Sequence, residues 1–233
     1  MTDTPSQNDH NLPTPQQIVD TYRPVLCRIV EALRRGTRHA RWYFDYWDES
    51  LDPALAPALV RKEAKRRLID TETPAVDAED EAANGTAAPN GQAEFLSNLG
   101  LAVLADGVKF RILRSDDGMI PVPGPSRARQ AFYSQEAYFP GWHALVAEAI
   151  GHVPVIPSPY TNCVLHWDTD DEYNLVRVYL ALPLAGNTTR ESVELLWNEI
   201  IWRRQAPGID GTQVEAEIID QDIYLAGEDT GTE

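Results

Sequence analysis

One stretch of the chain carries several side chains that can take part in chemistry: residues 163–172, which read CVLHWDTDDE. Its first part is apolar and strand-like, so alternation is expected to place His166 and Asp168 on one face. Carboxylates at the end of a strand are hard oxygen ligands of the kind that Mg²⁺ and Mn²⁺ prefer. The stretch therefore predicts a metal site made by Asp168, Asp170 and Asp171, with His166 as a catalytic base.

The same stretch can also be a solvated acidic turn between two strands, and the sequence favours this structural interpretation. An EF-hand loop that begins at Asp168 fails, because Tyr173 stands where glycine is needed and Tyr179 where the bidentate glutamate is needed. Cys163 and His166 have the spacing of a zinc pair, but on a strand they point to opposite faces. Zinc is therefore not expected here.

Basic residues indicate two further candidate sites. Arg127 and Arg129 stand at the start of a predicted helix, where free backbone amides and cations together predict an anion-binding site. Residues 23–67 hold 11 basic and 6 acidic side chains interleaved with aromatic ones, a pattern that predicts a nucleic-acid-binding surface. The alternative in both places is that the arginines face solvent or pair with nearby carboxylates.

The segment 41–48, RWYFDYWD, holds five aromatic side chains. Rings of this size are expected to be buried, against the protein's own core or against another molecule. Trp42, Tyr43 and Trp47 are therefore candidate contact residues for a protein partner.

Composition limits the function classes. The chain has 233 residues and a net charge of −16, so its surface as a whole repels phosphate backbones and anionic membranes. No apolar run approaches the ~20 residues that cross a bilayer, and the start of the sequence does not resemble a secretory signal. Cys27 and Cys163 predict no disulfide framework. A cytoplasmic protein without a membrane partner is expected.

The elements that must position these residues begin with two helices. Thr14 is expected to cap the first helix, with Pro15 at its first position. Pro24 is expected to kink or divide this helix, and Gly36 to end it. A second helix is predicted from about Pro53 to Ile69.

Strands dominate the second half of the chain. Leu99–Ala105 and Val108–Arg114 predict a hairpin, because the Asp106-Gly107 pair between them suits a type I′ turn. Thr161–Asp168 and Asn174–Leu184 predict a second hairpin. A last alternating strand is expected at Val214–Leu225.

Three shorter helices are expected among these strands. Ser126 caps the first, which is predicted to run to about Tyr138, and Trp142–Ile150 forms the second. The third is predicted to run to about Gln205, on an apolar stripe at spacings of three and four made by Val193, Leu196, Trp197, Ile200 and Ile201.

The expected fold is α+β, with a mainly antiparallel sheet of about five strands, packed helices and a preceding N-terminal helical segment. The predicted order is a disordered tail (1–13), the helical segment (14–69), an acidic disordered linker or loop (70–94), the α+β domain (95–226) and an acidic tail (227–233). The linker has seven acidic residues and no lysine or arginine, and too few apolar side chains to offset the entropy of ordering. Whether the helical segment docks on the sheet stays open.

The leading functional interpretation is a binding or regulatory protein that acts through protein contacts, because no complete catalytic signature is present. The alternative is a divalent-metal-dependent enzyme, directed at a phosphate or sugar-nucleotide substrate and centred on Asp168 and Asp170. A third interpretation is nucleic-acid binding through residues 23–67.

Overall fold

The computed structural model describes residues 12–47, 52, 54–70, 92–96, 100–115, 117–138, 155–186 and 190–204. Within these ranges the chain forms three helices and one six-stranded sheet. The helices are α1 (Pro15–Trp47), α2 (Leu55–Asp70) and α3 (Arg127–Tyr133). The strands are β1 (Gln92–Leu96), β2 (Gly100–Ala105), β3 (Val108–Arg114), β4 (Thr161–Thr169), β5 (Leu175–Pro183) and β6 (Leu195–Arg203).

The strands follow one another across the sheet in chain order. β3 and β4 are parallel, and each other neighbouring pair is antiparallel. A parallel pair needs a crossover connection, and the segment between β3 and β4 carries α3. This mostly antiparallel sheet with packed helices confirms the α+β prediction.

The sheet is covered on both faces. On the helix face, α1 contacts β5 and β6 while α2 contacts β1 and β2. The main core lies there, and it includes Leu26, Leu33, Phe110, Leu165 and Leu180. On the opposite face, called the α3 face below, a smaller apolar cluster contains Leu113, Phe132, Tyr133, Val164 and Ala181. Asn162, His166 and Asp168 alternate with the core residues of β4 and therefore lie on the α3 face with Val164.

The start of α1 confirms the predicted capping pattern. The Thr14 hydroxyl accepts from the Gln17 amide at 3.3 Å, and the Gln17 side chain accepts from the Thr14 amide at 2.8 Å. Helical geometry breaks at Tyr22 (φ −109°, ψ 16°), two residues before Pro24, as expected for a proline inside a helix. Although α1 spans 33 residues, no helix in the described ranges is apolar enough over the length that a bilayer requires.

The predicted end of α1 at Gly36 is wrong, because the helix continues to Trp47. Gly36 is buried where α1 crosses α2. A Cβ atom at this position would lie 2.8 Å from the Val60 carbonyl oxygen, closer than side-chain carbons approach such atoms. The glycine therefore permits close helix packing, a role that the sequence pattern alone does not distinguish from ending a helix.

Turn and cap signals in the middle of the chain are confirmed. Asp106 and Gly107 both have positive φ values, 23° and 82°, between β2 and β3. The Ser126 hydroxyl accepts from the Arg129 amide at 3.4 Å and caps α3. α3 ends at Tyr133, which is earlier than the predicted end near Tyr138.

The predicted helix over Val193–Gln205 is wrong, because Leu195–Arg203 forms β6 beside β5. The register of this pair shifts twice, so that Leu196 and Ile201 have no direct partner across β5. Each shift is a bulge, which sets two residues of one strand against one of its neighbour. The bulges fall at two apolar pairs that lie four residues apart, Leu196-Trp197 and Ile200-Ile201. Apolar residues at this spacing also form one face of a helix.

Several predictions fall outside the described residues. They are the tail up to residue 11, most of the linker (71–91), the helix at 142–150, the strand at 214–225 and the tail at 227–233. At the edges of the predicted linker, Asp70 ends α2 and Gln92 begins β1.

Candidate functional site

His166 and Asp168 lie side by side on the α3 face of β4. Their direct partners across the antiparallel pair with β5 are Tyr179 and Arg177. The Tyr179 ring stacks on His166, with ring centres 4.4 Å apart and planes 2° from parallel. The Tyr179 hydroxyl also donates to Asp168 Oδ2 at 3.2 Å. One tyrosine therefore contacts both residues, which share a face as the alternation of the strand predicts.

His166 is fully buried, and both of its ring nitrogens are hydrogen-bonded. Nε2 lies 3.0 Å from Asn198 Oδ1 on β6, and Nδ1 lies 2.8 Å from the Ser115 hydroxyl just after β3. Because an amide oxygen only accepts, Nε2 carries the proton and Nδ1 accepts from Ser115. Sequence reasoning missed both partners, one of which follows β3 and the other of which lies on β6, on either side of the β4–β5 hairpin.

A serine hydroxyl that donates to an oriented imidazole has the geometry of a nucleophile and its base. The pKa of His166 argues against that use. Burial lowers it to about 4, and this effect outweighs the opposite effects of the Asn198 bond and of Asp168. A general base works best with a pKa near the operating pH. The geometry therefore suits a structural hydrogen-bonded network, and the catalytic role of His166 stays a prediction.

Asp168 is largely enclosed, with 12% of its side chain exposed. Besides the Tyr179 hydroxyl, its carboxylate has Arg177 at 3.6 Å. Gly118 packs against this pair with a φ of 77°, and a Cβ there would lie 3.4 Å from Asp168 Oδ2. The pKa of Tyr179 is raised, mainly by burial and then by the Asp168 charge, so Tyr179 stays a donor at neutral pH. The Asp168 carboxylate is thus already hydrogen-bonded by Tyr179 and paired with Arg177.

Asp170 has different contacts from Asp168. Its carboxylate accepts from the backbone amide of Asn174 at 2.7 Å and from Arg204 at 3.0 Å. It therefore closes the turn between β4 and β5, while Asp171 is exposed beside it. Within the described ranges, no group of three or more His, Cys, Asp or Glu side chains is arranged to hold a metal ion. The Mg²⁺ or Mn²⁺ site stays a prediction.

A third arginine, Arg111, lies near Arg129 of the predicted anion site. Arg127 is exposed, whereas Arg129 is partly buried and donates to the Val122 carbonyl at 3.3 Å. Arg111 on β3 is only 6% exposed, and the pKa of its guanidinium is lowered by burial and by the nearby charge of Arg129. Alternation along β3 assigns Arg111 to a polar face, and only the contact with α3 reveals that this face is covered.

The predicted aromatic contact residues lie on different sides of α1. Trp42 and Trp47 are 57% and 59% exposed, whereas Tyr43 packs partly buried against the main core. Tyr46 is 65% exposed and stacks on Trp42, with ring centres 5.4 Å apart. His39 stacks on the other side of Trp42. We call His39, Trp42, Tyr46 and Trp47 the aromatic ladder; their helical spacing is the signal that would have added His39 and Tyr46.

No protein-family model, curated protein or solved structure matches this chain. The contacts, exposure and charges of its own side chains are therefore what indicates its function.

Proposed function

We propose that this protein is a binding protein that holds a partner protein on the aromatic ladder of α1. The observation that carries the proposal is the exposure of Trp42, Tyr46 and Trp47, at 57%, 65% and 59%. Burial of apolar surface is favourable by about 25 cal/mol per Å², so a partner that covers these exposed rings gains this free energy. Contiguous exposed aromatic groups are typical of interaction sites, and tryptophan and tyrosine dominate binding energy in such sites.

The ladder is ordered before any partner binds. The Trp42 ring stacks on His39 and on Tyr46 with planes inclined by 29° and 28°, and the ring of Trp47 meets that of Tyr46 edge-on at 5.2 Å. A side chain that is already held by its neighbours loses less conformational entropy on binding than a free one. This preorganisation favours a docking surface.

The charges around the ladder define the chemistry of the partner. Arg38 is exposed and lies one turn before Trp42. Arg35, one further turn back, is 51% exposed, and its ion pair with Glu31 is of the surface type that contributes little. We therefore propose a partner segment that presents proline or aliphatic side chains beside Asp or Glu, because aromatic surfaces accept such apolar groups and the arginines attract the carboxylates.

The observations favour a protein over a nucleic acid. Some arginines of residues 23–67 share a carboxylate: Arg34 and Arg35 share Glu31, and Arg66 and Arg67 share Glu63. Within the whole chain the net charge is −16. This sharing leaves positive charge on α1 and α2, but the strongly acidic remainder of the chain would repel a phosphate backbone.

The test is a selection of random displayed peptides on the full chain, followed by fluorescence anisotropy with a synthetic copy of an enriched peptide. We expect enriched peptides to combine proline or aliphatic residues with Asp or Glu. Trp42→Ala and Tyr46→Ala should each weaken binding about tenfold, as expected for aromatic hot spots. Met119→Ala is the matched control, since Met119 is also 65% exposed but lies in the loop after β3.

Three outcomes would overturn the proposal. Peptides that bind the Trp42→Ala/Tyr46→Ala double variant as tightly as wild type would show that the ladder is not used. A dimer that dissociates in the double variant would identify a second copy of the chain as the occupant. Tight, salt-sensitive binding of a single-stranded oligonucleotide that is lost in the double variant would identify a nucleic-acid site.

The proposal includes a cytoplasmic location. Neither Cys27 nor Cys163 is part of a disulfide in the structure, and Cys163 is fully buried. Burial raises the pKa of the Cys163 thiol, which keeps it protonated and unreactive at neutral pH. Free thiols persist in reducing compartments such as the cytoplasm.

A further inference from the structure

Arg111 is a buried cation on the α3 face of the sheet, away from the aromatic ladder. It lies on β3 opposite Val164 of β4, and 6% of the residue is exposed. The Phe132 ring of α3 covers its guanidinium, with the central carbon 5.6 Å from the ring centre. The ring face attracts the charge but supplies no hydrogen-bond acceptor.

The guanidinium of Arg111 is incompletely hydrogen-bonded. Its Nε is enclosed and has no hydrogen-bond partner, and none of the ion pairs seen in the described ranges involves it. Burial is the main cause that lowers the pKa of Arg111 to about 10, and it therefore stays charged at neutral pH. A buried charge without a counter-charge is costly, and native proteins rarely leave one without a reason.

Arg129 adds a second positive charge to the same place. It lowers the pKa of Arg111 further, and its own Nε is also enclosed without a partner. Tyr133 does not neutralise the pair, because burial raises the pKa of its hydroxyl, which donates to the Pro121 carbonyl. Two guanidinium groups thus lie near each other, and each has one enclosed Nε without a hydrogen-bond partner.

We propose that Arg111 and Arg129 form a binding site for a phosphate group, either free phosphate or the phosphate of a small ester. Two cations match the charge of a phosphate dianion, and the guanidinium forks suit its oxygen atoms. The anion would pair with the two guanidinium groups and screen the repulsion between them. Arg127, which the sequence pairs with Arg129, is exposed and is not part of this site.

The experiment is isothermal titration calorimetry of the full chain with inorganic phosphate, glycerol phosphate and acetate. We expect both phosphate compounds to bind and acetate to bind about tenfold more weakly. Tighter binding of glycerol phosphate would identify an ester as the ligand, and tighter binding of inorganic phosphate would identify the free ion. Affinity should fall as the pH drops below about 6, where a phosphate monoester takes up a proton.

Variants locate the site. Arg111→Met and Arg129→Met should each weaken phosphate binding at least tenfold, whereas Arg127→Met should bind like wild type. Arg129 is only partly buried, so Arg129→Met keeps the test decisive if Arg111→Met does not fold. Absence of binding to the wild-type chain, or equal binding by Arg129→Met and wild type, would overturn the proposal. Equal affinity for acetate would reassign the site to carboxylates.

Discussion

His166 is stacked on Tyr179 and hydrogen-bonded by Ser115 and Asn198, and burial lowers its pKa from 6.5 to about 4. The neutral ring is the form that fits these partners, because it has one donor nitrogen and one acceptor nitrogen. Protonation would turn Nδ1 into a second donor facing a hydroxyl group, in a site that does not solvate charge. The residue therefore couples the fold to pH.

We expect the free energy of unfolding to fall as the pH drops from 6.5 to about 4. In this range His166 binds a proton in the unfolded chain but not in the folded one. The contribution of neutral His166 to the free energy of unfolding is therefore complete above pH 6.5 and is lost as the pH falls towards the folded-state pKa of about 4. The slope is at most about 1.4 kcal/mol per pH unit, or about 3 kcal/mol in total. Urea unfolding at several pH values should show a shallower slope for His166→Gln than for wild type.

Carboxylates also titrate in this range, so the difference between the two proteins is the relevant quantity. His39→Gln replaces an exposed histidine and controls for the substitution itself. Equal slopes for wild type and His166→Gln would mean that His166 takes up its proton as readily in the folded chain as in the unfolded one.

Among the elements, the crossing of α1 and α2 depends on Gly36. A Cβ at this position would lie 2.8 Å from the carbonyl oxygen of Val60 and 3.0 Å from its Cγ1. The nearest atom belongs to the backbone and cannot rotate away, so a larger residue would have to move one helix from the other. α1 and α2 support the helix face of the sheet, and strain at their crossing is therefore felt in the main core.

Gly36→Ala should destabilise the protein by about 1 to 3 kcal/mol, the usual cost of overpacking a core. Helix propensity alone would have the opposite effect, since alanine is favoured over glycine by about 1 kcal/mol. Urea unfolding gives the measurement, and Thr21→Ala, at an exposed position of α1, is the control for an added alanine. A stability of Gly36→Ala equal to or above wild type would contradict the close contact.

The sequence predicts correctly those elements whose structure depends mainly on their own residues. The Asp106-Gly107 turn, the Ser126 cap and the alternation of β4 are examples, and the placement of His166 and Asp168 on one face follows from the last. β6 was mistaken for a helix because its bulges depend on pairing with β5, which the sequence of β6 does not contain. Gly36 and Arg111 depend on contacts with α2 and α3, respectively, so their roles follow from tertiary packing alone.

For the whole molecule, the main question is what joins the helices to the sheet. The sequence suggests attraction between a basic helical segment and an acidic remainder. The structure has one exposed ion pair of this kind in its described ranges, Arg41 with Glu172 at 3.3 Å. The shared apolar core is far larger, and the Tyr22 hydroxyl adds a hydrogen bond of 2.6 Å to the Asp106 carbonyl of the β2–β3 turn. Apolar burial, which salt does not screen, therefore dominates.

A chain cut between the helices and the sheet should consequently stay together. We expect the two fragments made by cleavage at a protease site introduced within residues 71–91 to co-elute in size-exclusion chromatography, at low and at high salt, and to separate in urea. Leu33→Asp, at a fully buried position of α1, should release the helical fragment, because a carboxylate in the core costs several kcal/mol. Arg38→Asp, at an exposed position of the same helix, should not. Separation of the wild-type fragments in high salt alone would instead make charge attraction the main link between the helices and the sheet.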